Sequence, residues 1–229
     1  MNILALDCAG TNASCALTDG NKLLCETVIN GKEKHSVTLL PAIGELFTLT
    51  GLDIDNIDLF AVTVGPGSFT GVRIGVAQIK GLTFGKNKPC AAVSTLESLA
   101  NNLNGFNGII CPLMDARRGQ FYNALFKNGE RLCEDRLISA EKLSTELDMI
   151  GENVYLIGDG AFLGREIISY KNLEIAPLRL IYTSGYSTAM CALNNYKNGI
   201  EIYSDIELSP KYLRLSQAER EREERIKNG

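Results

Sequence analysis

The stretch TVGPGSFTGVRIGVAQIKG, Thr63 to Gly81, joins an apolar strand to a glycine-rich turn and a helix. The residues before it, IDLFAV, continue the apolar run and are typical of a strand buried on both faces of a sheet. Gly65 and Gly67 form the turn, and Ser68 is suited to cap the helix that follows. A strand, a tight turn and a helix make up the repeating unit of α/β proteins, so this stretch predicts an α/β fold.

The glycine-rich turn matches neither of the common nucleotide-binding loops. A P-loop has the pattern GxxxxGK[ST], but the sixth position is Thr70 when counted from Gly65 and Val72 when counted from Gly67. A dinucleotide-binding GxGxxG loop needs its third glycine where Thr70 stands, and Gly71 comes one residue late. What remains is a helix start whose backbone N–H groups are able to bind an anion.

The predicted helix carries two glycines, Gly71 and Gly75, four residues apart on one face, beside an apolar stripe made by Phe69, Val72, Val76 and Ile79. An interior glycine costs about 1 kcal/mol relative to alanine, and it is tolerated where a neighbour approaches the backbone closely. We expect the apolar stripe to pack on a sheet and the glycine face to meet another helix. That helix is either the one predicted for residues 35–50 or a helix of a second subunit.

The flanking sequence extends the α/β pattern in both directions. NILALDCA, NASCALTDG and KLLCETVIN predict three antiparallel strands, and the spacing in EKHSVTLLPAIGELFTLTG predicts a helix with Ser36 as candidate cap. KPCAAVST and STLESLANNL add a strand and a helix after the opening stretch. The order strand, hairpin, helix, strand, helix begins again after the polar NGFNG at residues 104–108. This duplication predicts two similar subdomains, 1–103 and 104–229.

Composition and charge exclude several classes of protein. The 229 residues carry a net charge of -4, which excludes tight nucleic-acid binding by this chain alone. The seven cysteines contain no CxxC, so we expect free, mostly buried thiols in a reducing cytoplasm. No apolar run approaches a membrane span, so we expect a cytoplasmic protein with no membrane partner. The single histidine, His35, excludes a metal site that needs two.

Two turns carry the remaining chemical candidates. LDCAGTNASCAL places Asp7 at a strand end before a turn with Thr11, and MDARRGQ places Asp115 before Arg117 and Arg118. An acid at a strand end followed by such a turn suits phosphate or magnesium. The same pattern describes a polar hairpin turn whose acid accepts hydrogen bonds from nearby backbone N–H groups. The spacing favours the polar turn, and we assign no catalytic residue.

Four stretches together resemble the bacterial TsaB (YeaZ) family: ILALDCAGTNASCAL, HSVTLLPAI, VGPGSFTGVRIGVAQIKGL and MDARRGQFY. The segment GPGSFTGVRIG is the specific one, and the resemblance is close over residues 1–125. Members of that family are the non-catalytic dimerisation subunit of the machinery that makes threonylcarbamoyladenosine in tRNA. The resemblance implies an actin/hexokinase/Hsp70-like (ASKHA) fold, an α/β fold of two duplicated subdomains with mixed sheets.

The resemblance also implies the partners of the chain. They are a TsaD-like catalytic subunit and a TsaE-like ATPase, acting in threonylcarbamoyl transfer to adenosine 37 of tRNA. The resemblance implies a homodimer when the chain is alone and tRNA contact only through the complex, with ATP, ADP or magnesium as ligands at the level of the complex. TsaD has a metal-binding histidine pair on its first helix. Here His35 is followed four residues on by Leu39, so we expect no metal site and no peptidase activity.

The contact surface is implied by the same resemblance. In the family, the first two helices of the N-terminal subdomain contact TsaD, and the same surface forms the homodimer. Carried to this sequence, the contact comprises His35, Leu39, Leu40 and Ile43 on the first helix, and Ser68, Phe69, Gly71, Val72, Gly75 and Gln78 on the second.

An alternative hypothesis is that the chain is an enzyme of the same superfold. An ATPase or phosphotransferase of the ASKHA type would use Asp7, Thr11 and Asp115 around Mg-ATP, and these residues are otherwise a vestigial phosphate site. Such a reaction usually has a catalytic base, and the sequence identifies none. The charged end SQAEREREERIKNG is expected to be a solvated, partly frayed helix.

Overall fold

The first half of the chain folds in the predicted order. The computed structural model describes residues 1–214. The first half contains five strands and three α-helices. In chain order they are β1 (Asn2–Asp7), β2 (Ala13–Asp19), β3 (Lys22–Ile29), α1 (His35–Thr50), β4 (Leu59–Gly65), α2 (Phe69–Thr83), β5 (Cys90–Ser94) and α3 (Thr95–Asn101). A short 3₁₀ helix, Ile54–Asn56, connects α1 to β4.

The second half contains shorter elements. In chain order they are β6 (Ile109–Asp115), β7 (Gln120–Asn123), β8 (Phe126–Lys127), β9 (Glu130–Arg131), β10 (Arg136–Ser139), α4 (Ala140–Ile150), β11 (Val154–Ile157), α5 (Ala161–Ile167), β12 (Leu173–Ile175), α6 (Gly185–Asn198) and β13 (Ile202–Tyr203). The predicted turn at KNGE is the connection between β8 and β9.

The two sheets repeat one topology. In the first, the order is β13-β5-β4-β1-β2-β3; β1, β2 and β3 are antiparallel neighbours, and β4 and β5 run parallel to β1. In the second, β6, β7 and β10 are antiparallel neighbours, and β11 and β12 run parallel to β6. Each sheet thus joins an antiparallel hairpin to a parallel half. The predicted α/β fold with mixed, duplicated sheets is confirmed.

Helix α6 and strand β13 return to the first sheet, whereas the prediction gave all of 104–229 to the second subdomain. Strand β13 pairs with β5, and α6 packs against β1 and β2. The face of the first sheet that α6 covers carries small and medium apolar residues such as Ala5 and Ala61. Ala189 and Ala192 of α6 complete that core, because two surfaces of small side chains can approach closely. The predicted charged helix at 216–229 lies outside the described residues.

The first two helices cover the other face of the first sheet. Ser68 caps α2 as predicted, with its hydroxyl accepting a hydrogen bond from the Gly71 N–H at 3.2 Å. Helix α1 begins after Lys34 without a side-chain cap, so the prediction of Ser36 as its cap is wrong. It ends at Gly51, whose left-handed backbone (φ 71°) closes the helix. These boundaries hold α1 and α2 beside each other on the sheet.

Candidate functional site: the outer helix face and the cleft between the sheets

The exposed side of α1 carries several apolar residues among the polar Ser36, Glu45 and Thr48. Leu39, Ala42, Ile43 and Leu46 point into the core and are buried, as the helical period requires. On the opposite side, Val37 is 58% exposed and Leu40 is 50% exposed, and Pro41 and Gly44 are exposed as well. Exposed apolar side chains grouped on one helix are typical of a protein–protein contact.

Helix α2 presents small residues on its outer side. Thr70, Ala77 and Gly81 are exposed there, together with Arg73. A Cβ added to Gly81 would meet no atom within 4 Å, so this part of the helix surface is open. We give the name outer helix face to seven exposed apolar or small residues of the two helices, which are Val37, Leu40, Pro41, Gly44, Thr70, Ala77 and Gly81.

The predicted contact residues fall into three groups. Leu40 and Ser68 are exposed; His35, Phe69 and Gln78 are half-buried; and Leu39, Ile43, Gly71, Val72 and Gly75 are buried in the chain itself. The five buried residues are covered by the chain itself, so in this structure the exposed and half-buried residues form the surface that a partner would meet. The role of the exposed ones stays a prediction.

The glycines of α2 face the first sheet and not a second helix, which corrects the expectation from their spacing. A Cβ on Gly71 would collide with the carbonyl oxygen of Cys8, just after β1. A Cβ on Gly75 would lie 3.0 Å from Cγ2 of Val62 in β4. The missing side chains therefore let α2 sit directly on the ends of these strands. Sequence reasoning found the glycine face but missed Val37, Ala77 and Gly81, whose helical spacing from Leu40 and Arg73 marks the outer side.

A cleft of about 540 Å³ separates the two sheets, and it contains two of the three predicted phosphate-site residues. Thr11 and Asp115 line it, together with Asp159 and the start of α2. Asp115 Oδ1 accepts a hydrogen bond from the Arg117 N–H at 2.7 Å, so this acid makes the polar-turn contact that the spacing favours. Among residues 1–214, no three His, Cys, Asp or Glu side chains group as ligands for a metal ion.

Asp7 lies beneath the cleft and does not line it. Its carboxylate is fully buried, and Oδ1 accepts a hydrogen bond from the Ala9 N–H at 2.9 Å. Its Oδ2 has no hydrogen-bond partner among the described residues. Burial raises the pKa of Asp7 to about 7, because the low-dielectric interior disfavours the charged form. Burial likewise raises the pKa of Asp159.

The segment of residues 204–214, which we call the C-terminal segment, closes one side of the cleft. The Lys211 N–H donates to the carbonyl of Val64 at 2.7 Å, and the ring of Tyr212 stacks on Phe69 with centroids 4.6 Å apart. The Arg73 guanidinium lies 3.8 Å from the centroid of the Phe69 ring and donates through Nε to the Tyr212 hydroxyl. No local pattern in the sequence predicts this packing.

His35 makes a structural contact at the edge of the same region. Its Nε2 lies 3.4 Å from the carbonyl oxygen of Gly10, in the turn between β1 and β2. The side chain is half-buried, and it links the start of α1 to that turn. The residue four positions on, Leu39, is a buried apolar side chain.

Comparison with known proteins gives a family and a fold. The family model described as TsaD, tRNA N6-adenosine threonylcarbamoyltransferase, matches residues 22–218. The tRNA threonylcarbamoyladenosine biosynthesis protein TsaB of Bacillus subtilis (strain 168) is 33% identical over 230 residues, with 96% of each chain covered. YeaZ from Pseudomonas aeruginosa superposes with a TM-score of 0.80 at 23% identity, covering 93% of this chain and 99% of that one.

A more distant solved structure has the same fold. The activator of the 2-hydroxyisocaproyl-CoA dehydratase from Clostridium difficile, with bound ADPNP, superposes with a TM-score of 0.50 at 14% identity, covering 87% of this chain and 97% of that one. The paired mixed sheets and these superpositions define an actin/hexokinase/Hsp70-like fold of the ASKHA type. Within that class, the chain belongs to the TsaB (YeaZ) family. No helix of residues 1–214 is both long and apolar enough to cross a lipid bilayer.

Proposed function

We propose that this chain is a non-catalytic subunit in tRNA threonylcarbamoyladenosine biosynthesis, and that its outer helix face binds a TsaD-like catalytic subunit. The observation that carries this proposal is the exposure of Val37 and Leu40 on α1, together with the exposure of the small residues Ala77 and Gly81 on α2, the helix that α1 contacts. Small residues let the backbone of a partner helix come close, and the apolar side chains lose contact with water on binding. The same face forms the homodimer when the catalytic subunit is absent.

The geometry of the cleft supports a non-catalytic role for this chain. Phosphoryl transfer on this fold would need an ionised acid able to reach a magnesium-bound phosphate. Asp7 is sealed beneath the cleft, with one oxygen bonded to the backbone and a raised pKa that favours its protonated form. Tyr212 and Arg214 of the C-terminal segment line the space that a nucleotide would enter. The complex, with a TsaE-like ATPase as its third protein, then contacts tRNA through other subunits.

One observation favours the second candidate function, an ATPase or phosphotransferase. Thr11, Asp115 and Asp159 line a single cleft beside the start of α2, where backbone N–H groups face an anion favourably. The solved structure with bound ADPNP has the same fold. Because fold alone does not specify activity, this candidate depends on the cleft opening far enough to expose Asp7.

Reconstitution separates the two functions. The purified chain is mixed with the TsaD-like and TsaE-like proteins of the same organism, and both complex formation and threonylcarbamoyl transfer to tRNA are measured. We expect a stable complex with the catalytic subunit and loss of tRNA modification when this chain is omitted. Absence of a complex, together with steady ATP hydrolysis by this chain alone, would favour the second candidate instead.

A further inference from the structure

Two covalent connections join the sheets: residues 102–108 run from α3 to β6, and residues 176–184 run from β12 to α6. Asn102 ties these two connections together. Its Nδ2 donates to the carbonyl oxygens of Leu180 at 2.8 Å and Tyr182 at 2.7 Å, and its Oδ1 accepts a hydrogen bond from the Ser187 hydroxyl at 2.6 Å. Connections that cross close together in this way are suited to act as a hinge between two rigid halves.

This hinge lies away from the cleft. Asn102, Leu180 and Tyr182 line a separate cavity of about 520 Å³. Among residues 1–214, no residue lines both that cavity and the cleft. A rotation of the two sheets about Asn102 would therefore change the distance across the cleft.

The C-terminal segment is a third, noncovalent link between the two halves. On the side of the first sheet, the Lys80 ammonium donates to the carbonyl oxygens of Ile206 at 2.9 Å and Leu208 at 3.0 Å, and the Leu208 side chain is buried. On the side of the second sheet, Arg214 Nη1 donates to the carbonyl oxygen of Ala116, directly after β6, at 3.1 Å. Among the described residues, this is the one hydrogen bond that joins the segment to the second sheet or its turns.

The two attachments differ in strength. The segment is held on the first half by a buried leucine, by the stacking of Tyr212 on Phe69 and by several hydrogen bonds. It is held on the second half by the half-buried Arg214, and a single hydrogen bond contributes little net stability. The segment should therefore separate from the second half first and stay on the first.

Met114 in β6 is placed to report such a separation. A Cβ added to Gly67 would lie 3.0 Å from Cε of Met114, and one added to Gly10 would lie 3.9 Å from the same atom. Met114 thus reaches from the second sheet to two turns of the first. It is only 2% exposed, although it lines the cleft. Widening of the cleft would bring its thioether into contact with solvent.

We propose that the C-terminal segment is a releasable strap. Arg214 holds the second sheet against the first, and its release lets the two sheets turn about Asn102 and opens the cleft. The segment then controls solvent access to the cleft residues Asp115 and Asp159. This inference concerns the chain alone and does not depend on the partner proposed for the outer helix face.

Hydroxyl-radical footprinting of the full chain, read by mass spectrometry, tests the proposal. The measured quantity is the oxidation rate of Met114 relative to that of Met149 on α4, which is 77% exposed. Arg214→Ala and Tyr212→Ala should each raise this ratio at least about fivefold, the factor that corresponds to the loss of one typical hydrogen bond. Tyr212→Phe keeps a ring stacked on Phe69 and should stay near the original ratio.

Arg165→Ala on α5 is the matched control, because this arginine is exposed and lies outside the lining of the cleft. Its ratio should equal that of the unchanged chain. The proposal is overturned if Met114 keeps its original ratio in Arg214→Ala or in Tyr212→Ala, or if Arg165→Ala raises the ratio as much. An equal rise at the fully buried Phe60 would show general unfolding in place of cleft opening and would also overturn it.

Discussion

The carbonyl oxygen of Lys211 lies directly against the α-carbon of Gly65. A Cβ added to Gly65 would be 2.5 Å from that oxygen, and the Lys211 N–H donates to the carbonyl of the preceding residue, Val64. The glycine at the head of the turn therefore admits the backbone of the C-terminal segment. Its φ of 115° is also in the region that favours glycine, so two separate constraints act on this position.

Gly65→Ala should lower the free energy of unfolding by at least about 2 kcal/mol, because both the strained φ and the collision with Lys211 act together. Denaturant unfolding measures this change. Gly85→Ala is the matched control, since Gly85 also has a positive φ (70°) but nothing within 4 Å of an added Cβ. Equal losses in the two variants would mean that the contact with Lys211 adds nothing.

Two glycines of α2 should respond oppositely to alanine. Gly71→Ala places a methyl group against the backbone oxygen of Cys8, which cannot move without disturbing β1, and should cost at least about 2 kcal/mol. Gly81→Ala faces open space and should stabilise the chain by about 1 kcal/mol through helix propensity. Thermal unfolding of the two single variants checks the signs. A Gly71→Ala chain as stable as the original would contradict the observed packing of α2 on the sheet.

Asp7 should make stability fall as pH rises. The folded chain holds its carboxyl proton up to a pKa of about 7, whereas an unfolded chain loses it near its ordinary value of 3.8. The folded state therefore binds more protons between these values, and the free energy of unfolding decreases across that window. Above pH 7 the Asp7 carboxylate is ionised in both states, and the folded chain carries the full free-energy cost of burying that charge.

Asp7→Asn keeps the shape of the side chain and removes that charge. The difference in free energy of unfolding between Asp7→Asn and the original chain should grow in favour of the variant from pH 4 to pH 7. For a pKa shift of this size, the growth is up to about 4 kcal/mol. Denaturant unfolding at a series of pH values provides the measurement, with the exposed Asp148→Asn on α4 as control. A difference that does not change with pH would show that Asp7 is ionised at no cost.

Local sequence patterns predicted most of the secondary structure. They did not predict the contacts between residues that are far apart in the sequence. The apolar period predicted α1 and α2, Ser68 was correctly predicted to cap α2, and the duplicated pattern predicted the order of elements along the chain. The spacing of Gly71 and Gly75 identified a face stripped of side chains, but spacing alone does not say whether a strand or a helix lies opposite. The packing of Lys211 on Gly65 joins residues far apart in sequence, and neither position carries a local mark of the other.

For the candidate site too, some features were predicted from the sequence and others were not. The resemblance assigns the contact to two helices, and this assignment stays a prediction; burial divides their residues, because each helix turns only one side to solvent. Thr11 and Asp115 do meet in one cleft, as two strand-end turns of a duplicated fold should. The burial of Asp7 depends on the tertiary packing around β1 and has no signature in LDCAGT.

The affinity of this chain for its TsaD-like partner, measured by titration calorimetry on single charge substitutions, tests the central claim most directly. Leu40→Glu on α1 and Ala77→Glu on α2 each place a charge on the outer helix face, and each should weaken binding at least about tenfold while circular dichroism stays unchanged. Phe162→Glu on α5 alters an exposed apolar side chain of the other subdomain and should bind like the original chain. Unchanged affinity in both face variants, or an equal loss in Phe162→Glu, would contradict the account.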